Sequence, residues 1–482
     1  MKLMKRLFQH TFSVAVIVCS TLSVLSQTET TGPLPTKQQL AWHEMEFYWF
    51  IHFGPNTFTD KEWGHGDEKA DVFDPSQLDC RQWARVAKQS GAKGIILTAK
   101  HHDGFCLWPS KYSTHTVRES KWKNGKGDVV RDLAKACKEY GLKFGVYLSP
   151  WDRNHPKYGT PEYNDVYVNT MKELITRYGP FFEFWWDGAN GEGPNGKKQE
   201  YDFKRFERTI RKYAPNTVVF SDIGPDVRWV GNEKGIAGKT NWNLLDTAGF
   251  KRGHGAPPTD TLNQGNVNGK NWIPAECDVS IRPGWFYHPE EDDNVKTGEQ
   301  LFDLYLKSVG RGANFLLNMP PDRRGLIHEN DSTALMQFKK FRDESFSNNL
   351  AKESKAELHT GGGIFQRTKF TDGNAETFEK LNKYKDERLW VKFEQVKKIN
   401  CIVLQEPMQY GQKIKAAKLE LSNGSQVVAE IDITTVGRKR ILTFPVQEVS
   451  AISLVIKDAK DAPLISEIGA YLIDEKLVEK NP

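Results

Sequence analysis

Acidic and imidazole side chains follow directly after short apolar segments of the chain. Asp187 comes after the segment 182–186, which ends in two tryptophans, so its carboxylate would be oriented and partly desolvated. A carboxylate in such surroundings can act as a nucleophile toward the anomeric carbon of a sugar. An aspartate at this place could equally cap the next helix or fill a turn with Gly188, and both interpretations remain open.

A nucleophilic carboxylate needs a partner that gives and takes a proton. In a retaining glycosidase the two carboxyl groups lie about 5–5.5 Å apart. Glu233 and Glu276 are the two candidates, and we expect both on loops, with Glu233 on the loop that follows the segment 217–221. Their spacing in the sequence does not choose between them, because carboxylates on loops are usually solvated surface groups.

Two adjacent histidines and an aspartate, His101, His102 and Asp103, follow the apolar segment 94–99. Neighbouring residues at the end of a strand are expected to point to different sides, which disfavours a shared metal ion. The spacing HExxH of zinc hydrolases is also absent. We therefore favour imidazoles that hydrogen bond to sugar hydroxyl groups; a metal-dependent hydrolase and purely structural histidines are the alternatives.

These residues must be positioned by the strands and helices that alternate between residues 40 and 345. The predicted strands are short, apolar and rich in β-branched or aromatic residues, as strands buried on both faces are. Asp128 is a predicted helix N-cap, Gly141 ends that helix, and a second helical stripe spans residues 167–178. The six predicted strands are 47–53, 94–99, 143–148, 182–186, 217–221 and 313–318.

This alternation predicts an α/β fold with parallel strands. The length fits a (β/α)8-like barrel, in which functional residues lie at the C-terminal ends of the strands. That rule selects His52 and Tyr147 in addition to the residues named above. A doubly wound open sheet is the alternative, although no GxGxxG motif follows the first strands.

After residue 348 the sequence pattern predicts short strands and no helices. Asn423 and Gly424, between two predicted strands, form a strong hairpin signal. An all-β sandwich is therefore predicted for 348–482, after a barrel domain at 27–347, and it either supports the barrel or binds sugar. The predicted strands are 389–393, 399–405, 418–422, 427–433, 440–444 and 452–456.

Residues 1–26 have the pattern of a signal peptide. Lys2, Lys5 and Arg6 precede an apolar run at 12–25, which is short for a membrane span, and cleavage after Ser26 would leave Gln27 first. We expect a secreted or periplasmic protein with no membrane span. Cys19 raises a lipoprotein anchor as the less favoured alternative.

Charge and cysteine content exclude several other classes. Residues 1–26 hold three cations and no acid, so their removal lowers the net charge from +5 to +2. Such a charge is not typical of a nucleic-acid-binding protein. The remaining five cysteines contain no CxxC pair, so neither a zinc cluster nor a disulfide framework is indicated.

Several motifs together make the chain resemble glycoside hydrolase family 29, the α-L-fucosidases. They are 49–54 (WFIHFG), 62–63 (EW), 99–108 (AKHHDGFCLW), 145–147 (GVY) and 185–188 (WWDG), and the resemblance covers about 42–345. The resemblance implies a retaining mechanism without metal or cofactor, with Asp187 as the nucleophile and a fucosylated oligosaccharide or glycan as the substrate. It also implies sugar contacts from His52, Glu62, Trp63, His101, His102, Tyr147 and Trp185, with Trp285 facing the fucose methyl group.

The acid/base residue varies among these enzymes. The segment 225–233 looks like the subfamily that acts on α-1,3- and α-1,4-linked fucose, in which the acid/base corresponds to Glu233. Glu276 in that role would favour the broad-specificity subfamily instead. A non-catalytic carbohydrate-binding protein on the same scaffold is the alternative from another functional class.

Overall fold

The computed structural model describes residues 32–352, 354–382 and 387–479. The predicted signal peptide and Cys19 lie outside these residues. Eight parallel strands pair in a closed ring, each with its neighbours in chain order and the last with the first. The barrel strands are Phe47–Ile51, Gly94–Lys100, Lys143–Leu148, Glu183–Trp185, Val218–Ser221, Val227–Trp229, Ala275–Ser280 and Asn314–Asn318.

Helices surround the barrel and form where the sequence places their caps. Asp128 accepts a hydrogen bond from the backbone N–H of Arg131, and Gly141 ends the same helix with a φ of 66°. Both are confirmed predictions, and they fix where a crossover begins and ends. The helices are Lys37–His43, Pro55–Thr59, Cys80–Ser90, Val129–Tyr140, Tyr163–Tyr178, Phe203–Tyr213, Thr259–Gln264, Gly298–Lys307 and Glu329–Ser345.

Two barrel strands were not predicted from the sequence. Val227–Trp229 has only three residues and includes Arg228, whose guanidinium is fully buried and donates to backbone carbonyls. Ala275–Ser280 carries Glu276 and Asp278 inside a strand that is buried along its whole length. Polar residues interrupt the apolar run by which a buried strand is recognised. Their burial depends on hydrogen-bond partners from distant parts of the chain, which the local sequence does not reveal.

The chain after the barrel forms antiparallel strands, which confirms the prediction of a barrel followed by an all-β sandwich. Two pairs of predicted strands are in fact two long strands, Arg388–Gln405 and Arg440–Ala459, which pair with register shifts near their middle. Such shifts bend a strand and let it serve two layers. The other strands of this sheet are Lys355–Thr360, Gly363–Gln366, Ile414–Asn423, Gln426–Ile433 and Glu467–Tyr471.

The predicted hairpin is present, since Gly424 takes a φ of 60° between two paired strands. The sandwich also contacts the barrel through buried polar groups. Glu46 of the barrel forms ion pairs with Arg438, at 2.6 Å, and with Lys439. The side chain of Gln412 donates to the carbonyl of Asn241 at 2.9 Å. These contacts hold the two regions together.

The described residues contain five cysteines, all buried and all free. None of the described helices combines the length and the apolar character needed to cross a membrane.

Candidate active site

A cavity of about 180 Å³ opens at the C-terminal ends of the barrel strands. This volume is smaller than the 300–1,000 Å³ or so of pockets for drug-sized ligands, and it suits a single small ring. All ten residues predicted for the site line the cavity, and three further residues complete it. The lining consists of Phe50, His52, Glu62, Trp63, His101, His102, Tyr147, Trp185, Asp187, Ala189, Glu233, Asp278 and Trp285.

Asp187 follows the strand Glu183–Trp185 and is held by two hydrogen bonds. Its Oδ2 accepts from the Tyr147 hydroxyl at 2.9 Å, and its Oδ1 accepts from the backbone N–H of Ala189 at 2.7 Å. His102 Nε2 lies 3.8 Å from Oδ2. One oxygen therefore closes a turn, as the second interpretation expected, while the carboxylate also faces the cavity, and its role as a nucleophile stays a prediction. Two donors fix the orientation of the carboxylate.

A second carboxyl group lies behind this turn. Asp222 directly follows the strand Val218–Ser221, and a Cβ added at Gly188 would lie 2.0 Å from its Oδ2. Burial, and then the charge of Asp187, raise the pKa of Asp222 to about 7. Asp222 was not predicted from the sequence, although its position at the end of a predicted strand was a usable signal.

Three histidines line one side of the cavity, and burial keeps them neutral. Burial lowers the pKa of His52 and of His102 to about 4, and lowers the pKa of His101 well below its usual value. His52 Nδ1 contacts Asn318 Oδ1 at 2.9 Å, and His102 Nδ1 contacts Ser149 Oγ at 2.7 Å. Neutral imidazoles can both donate to and accept from hydroxyl groups, as sugar binding requires.

The expectation that the adjacent histidines point to different sides is wrong. The strand ends at Lys100, so His101 and His102 lie in the following turn, where the two-residue alternation of a strand no longer applies. Their ring centroids are 4.1 Å apart, and both rings reach the cavity.

Trp185 connects the histidine-lined part of the cavity to the barrel interior. Trp185 stacks on Phe220 with centroids 4.0 Å apart and on Tyr147 at 5.3 Å. Its indole N–H donates to Glu276 Oε1 at 2.8 Å. The ring is thus fixed on its faces and at its edge, and it supports the tyrosine that donates to Asp187.

Glu276 is a buried strand residue, and the expectation of a loop position is wrong. It is 0% exposed, accepts from Tyr48 and Trp185, and does not line the cavity. Burial, which dominates, and the neighbouring Glu276 carboxyl raise the pKa of Glu183 well above its usual value. The two carboxyls share a closed environment beneath the cavity, so Glu276 cannot reach a leaving group at the mouth.

Glu233 is exposed on another loop that lines the cavity. The loop follows the strand Val227–Trp229, not the preceding strand as expected, because Val227–Trp229 was not predicted. Glu233 Oε2 accepts from the Trp285 indole N–H at 3.2 Å. Burial, and then the charge of Glu233, raise the pKa of the neighbouring Asp278 well above its usual value.

Glu62 and Trp63 belong to a further loop that lines the cavity. The Glu62 carboxylate accepts from the backbone N–H groups of Trp285 at 2.9 Å and Phe286 at 3.1 Å. Trp63 is 55% exposed and meets His102 edge to face, with centroids 5.6 Å apart. The exposed indole therefore forms part of the rim of the cavity.

The metal-hydrolase alternative required His101, His102 and Asp103 to share an ion. Asp103 is buried, and its Oδ1 accepts a backbone N–H at 2.6 Å. Among the described residues, the group whose atoms lie close enough for an ion is instead Asp60, His288 and Glu290. Both ring nitrogens of His288 already face carboxylate oxygens. The ring therefore has no free lone pair for a metal.

Comparison with known proteins agrees with this geometry. The family model Alpha-L-fucosidase matches residues 23–345. Alpha-L-fucosidase 1 of Arabidopsis thaliana is 44% identical over 451 residues, covering 91% of this chain and 88% of its own.

Two solved structures share the same fold. A glycoside hydrolase 29 family member from an unknown rumen bacterium is 41% identical, with a TM-score of 0.82 over 94% of this chain and 79% of its own. A Ruminococcus gnavus GH29 fucosidase in complex with fucose is 31% identical, with a TM-score of 0.85 over 94% of this chain and 97% of its own. The chain belongs to glycoside hydrolase family 29, the α-L-fucosidases.

Proposed function

We propose that the protein is a retaining exo-α-L-fucosidase that removes terminal α-1,3- or α-1,4-linked L-fucose from oligosaccharides or glycoconjugates. One observation carries the proposal: Asp187 and Glu233, from different loops, line the same small cavity. Two carboxylates on either side of a bound ring are the minimum machinery for hydrolysis through a glycosyl-enzyme.

In the first step Asp187 attacks the anomeric carbon. A bond forms between its carboxylate oxygen and that carbon, and the bond to the leaving oxygen breaks. Glu233 gives its proton to the leaving oxygen. The hydrogen bonds from Tyr147 and the Ala189 N–H hold the carboxylate in place, so little reorganisation is needed.

In the second step water hydrolyses the ester. Glu233, now ionised, takes a proton from water, and the resulting oxygen nucleophile attacks the anomeric carbon and releases Asp187. Two displacements on one carbon return the α-anomer. Exposure of Glu233 on its loop gives water and leaving groups access to the proton-transfer site.

The cavity suits one deoxysugar held by polar and aromatic groups. Neutral His52, His101 and His102 offer hydrogen bonds to hydroxyl groups, and Trp285 offers an apolar face for a methyl group. The small volume of the cavity favours removal of one terminal sugar. The linkage preference is supported by the position of Glu233 at the cavity and by the resemblance of the segment 225–233.

A product assay tests this proposal. Free fucose is measured with a Lewis-type trisaccharide, 2′-fucosyllactose and an aryl fucoside, and the first anomer released is read by NMR. We expect the Lewis-type trisaccharide to be the best of the three and α-L-fucose to appear first. Initial β-L-fucose would contradict retention, and binding without any release of fucose would indicate a carbohydrate-binding protein.

We also propose that the protein is secreted or periplasmic, on the evidence of the residues 1–26 pattern. Mass spectrometry of the mature chain tests this, with Gln27 expected at the N-terminus. A lipid-modified Cys19 would instead indicate an anchored lipoprotein.

A further inference from the structure

His288 joins two loops that form one wall of the cavity. Its Nδ1 lies 2.9 Å from Asp60 Oδ1, and its Nε2 lies 2.7 Å from Glu62 Oε1. Ionised carboxylates only accept hydrogen bonds, so both ring nitrogens must carry hydrogen to make these contacts. The geometry is that of an imidazolium with one carboxylate on each side.

Glu62 also bonds to the backbone of the loop that carries His288. Its carboxylate also accepts the backbone N–H groups of Trp285 and Phe286. Glu62 therefore fixes the turn that carries Trp285, while His288 fixes Glu62. Both Glu62 and Trp285 line the cavity, whereas His288 does not.

The contact is closely packed around Gly284. A Cβ at this position would lie 2.7 Å from Glu62 Oε1 and 2.9 Å from His288 Cδ2. The Gly284 N–H donates to the Glu291 carboxylate at 3.0 Å. A side chain at 284 would push Glu62 and His288 away, so the glycine is required by this arrangement.

The charges around the ring favour its protonated form. Burial would lower the pKa of His288, but the hydrogen bonds that the ring donates to Glu62 and Asp60 outweigh burial and raise the pKa above its usual value. The His288 side chain is 9% exposed, whereas the side chains of Asp60 and Glu62 are 44% and 38% exposed, so solvent partly screens the two carboxylate charges. The charged groups near the ring are Asp60, Glu62, Glu290 and Glu291, with the Arg323 guanidinium 3.4 Å from Asp60.

We propose that His288 is a positioning residue for sugar binding, which holds Glu62, and through it the turn of Trp285, in the arrangement that receives the ring. This inference rests on the proposed function for the identity of the sugar. Loss of the His288 proton would leave one of the two carboxylates without its donor. Substrate binding would then weaken at alkaline pH, while the chemical step at Asp187 would be unaffected.

Kinetics with an aryl fucoside between pH 6 and 10 test this with two variants. In the wild-type protein KM should rise at alkaline pH. In His288→Gln, KM at pH 7 should be about tenfold higher, as for loss of a hydrogen bond to a charged group, with no further alkaline rise and kcat changed less than threefold.

The matched variant Asp60→Asn removes one carboxylate and leaves Glu62 in place. Asparagine tolerates the φ of 60° at this position, so the backbone should be unchanged. With one negative charge fewer, the imidazolium is less stable, and the alkaline rise of KM should begin at a lower pH. An unchanged alkaline rise in both variants, with wild-type KM at pH 7, would overturn the proposal.

Hydrogen exchange separates this inference from the proposed function. In His288→Gln at pH 7, amides in residues 55–63 and 283–288 should exchange faster, while the barrel strands exchange as in the wild type. Faster exchange in a protein that releases no fucose would overturn the proposed function and keep His288 as the residue that joins the loops. Wild-type exchange in both loops would overturn the positioning role whatever the activity. If His288→Gln does not fold, the Asp60→Asn pH profile decides alone.

Discussion

The cavity has two halves that are built in different ways. A strand-end half follows directly from the barrel strands and is mostly buried, whereas a loop half is carried by longer connections and is half-buried or exposed. The strand-end half consists of His52, His101, His102, Tyr147, Trp185 and Asp187. The loop half consists of Glu62, Trp63, Glu233 and Trp285.

The two halves differ in rigidity and exposure, and each suits a different requirement of the proposed reaction. In the proposed reaction Asp187 meets a carbon atom at a defined distance, and two hydrogen bonds and the rigid strand ends hold its carboxylate in place. Glu233, as the proposed acid/base, exchanges protons with leaving groups and water, and its exposed loop allows this. Precision therefore comes from the barrel, and access comes from the loops.

The largest expected effect tests the strand-end half directly. Asp187→Asn keeps the shape of the side chain but removes the nucleophile, and kcat should fall by about 10⁴-fold or more, a loss of about 5.5 kcal/mol. Steady-state kinetics with an aryl fucoside measure this, and circular dichroism confirms the fold. A loss of less than about 100-fold would contradict the assignment of Asp187 as the nucleophile.

Substitution in the loop half should depend on the leaving group. Glu233→Ala should lower kcat/KM for the Lewis-type trisaccharide by about 10²–10⁴-fold, because its leaving oxygen needs a proton. Fluoride leaves without a proton, so kcat/KM for α-L-fucosyl fluoride should fall less than about tenfold. Glu394→Ala, an exposed glutamate in the sandwich, is the control and should change neither rate. Equal losses for both substrates would count against Glu233.

A smaller effect separates positioning from packing in the strand-end half. Tyr147→Phe removes the hydroxyl that donates to Asp187, and kcat should fall about 10–100-fold, as for loss of a hydrogen bond to a charged group. Tyr167→Phe is the matched control, because its buried hydroxyl donates to the Leu148 carbonyl instead. We expect the control to lose stability and keep kcat. Similar kcat losses in both variants would indicate a general packing effect.

The same division explains what the sequence could predict. Asp187, His101 and Tyr147 were found from the residues because each lies at or just beyond the end of an apolar run, and strand ends meet at one face of a barrel. Trp285 lies in a loop without any periodic pattern, so only the resemblance to the family identified it. Distances between loops depend on contacts that the local sequence does not contain.

Glu276 shows a second limit of sequence reasoning. A carboxylate in a short segment is expected in water, yet Glu276 lies in the barrel interior among Tyr48, Trp185 and Glu183. Each of these partners is distant in the sequence. The same polar residues concealed the strand Ala275–Ser280, so the misplacement of Glu276 and the missed strand have one cause.

The last and smallest effect concerns stability beneath the strand-end half. Burial raises the pKa of Glu183, so the folded protein keeps a proton that the unfolded chain releases above a pH of about 4.5. The wild type therefore loses stability as the pH rises above that value. Glu183→Gln removes this titration and can still bond to Trp42, whose indole donates at 2.9 Å.

Relative to the wild type, Glu183→Gln should gain stability as the pH rises above about 5, and its free energy of unfolding should increase by up to about 1.4 kcal/mol per pH unit. Urea and thermal unfolding measure this difference. Glu46→Gln is a control of opposite sign: despite burial, Lys439 and Arg438 hold the pKa of Glu46 well below its usual value. Its loss should destabilise at neutral pH, and the difference should shrink as the pH falls. If the difference in unfolding free energy between Glu183→Gln and the wild type did not change with pH, Glu183 and Glu276 would not share a bound proton in the folded protein. Only packing would then connect the barrel interior to the cavity above it.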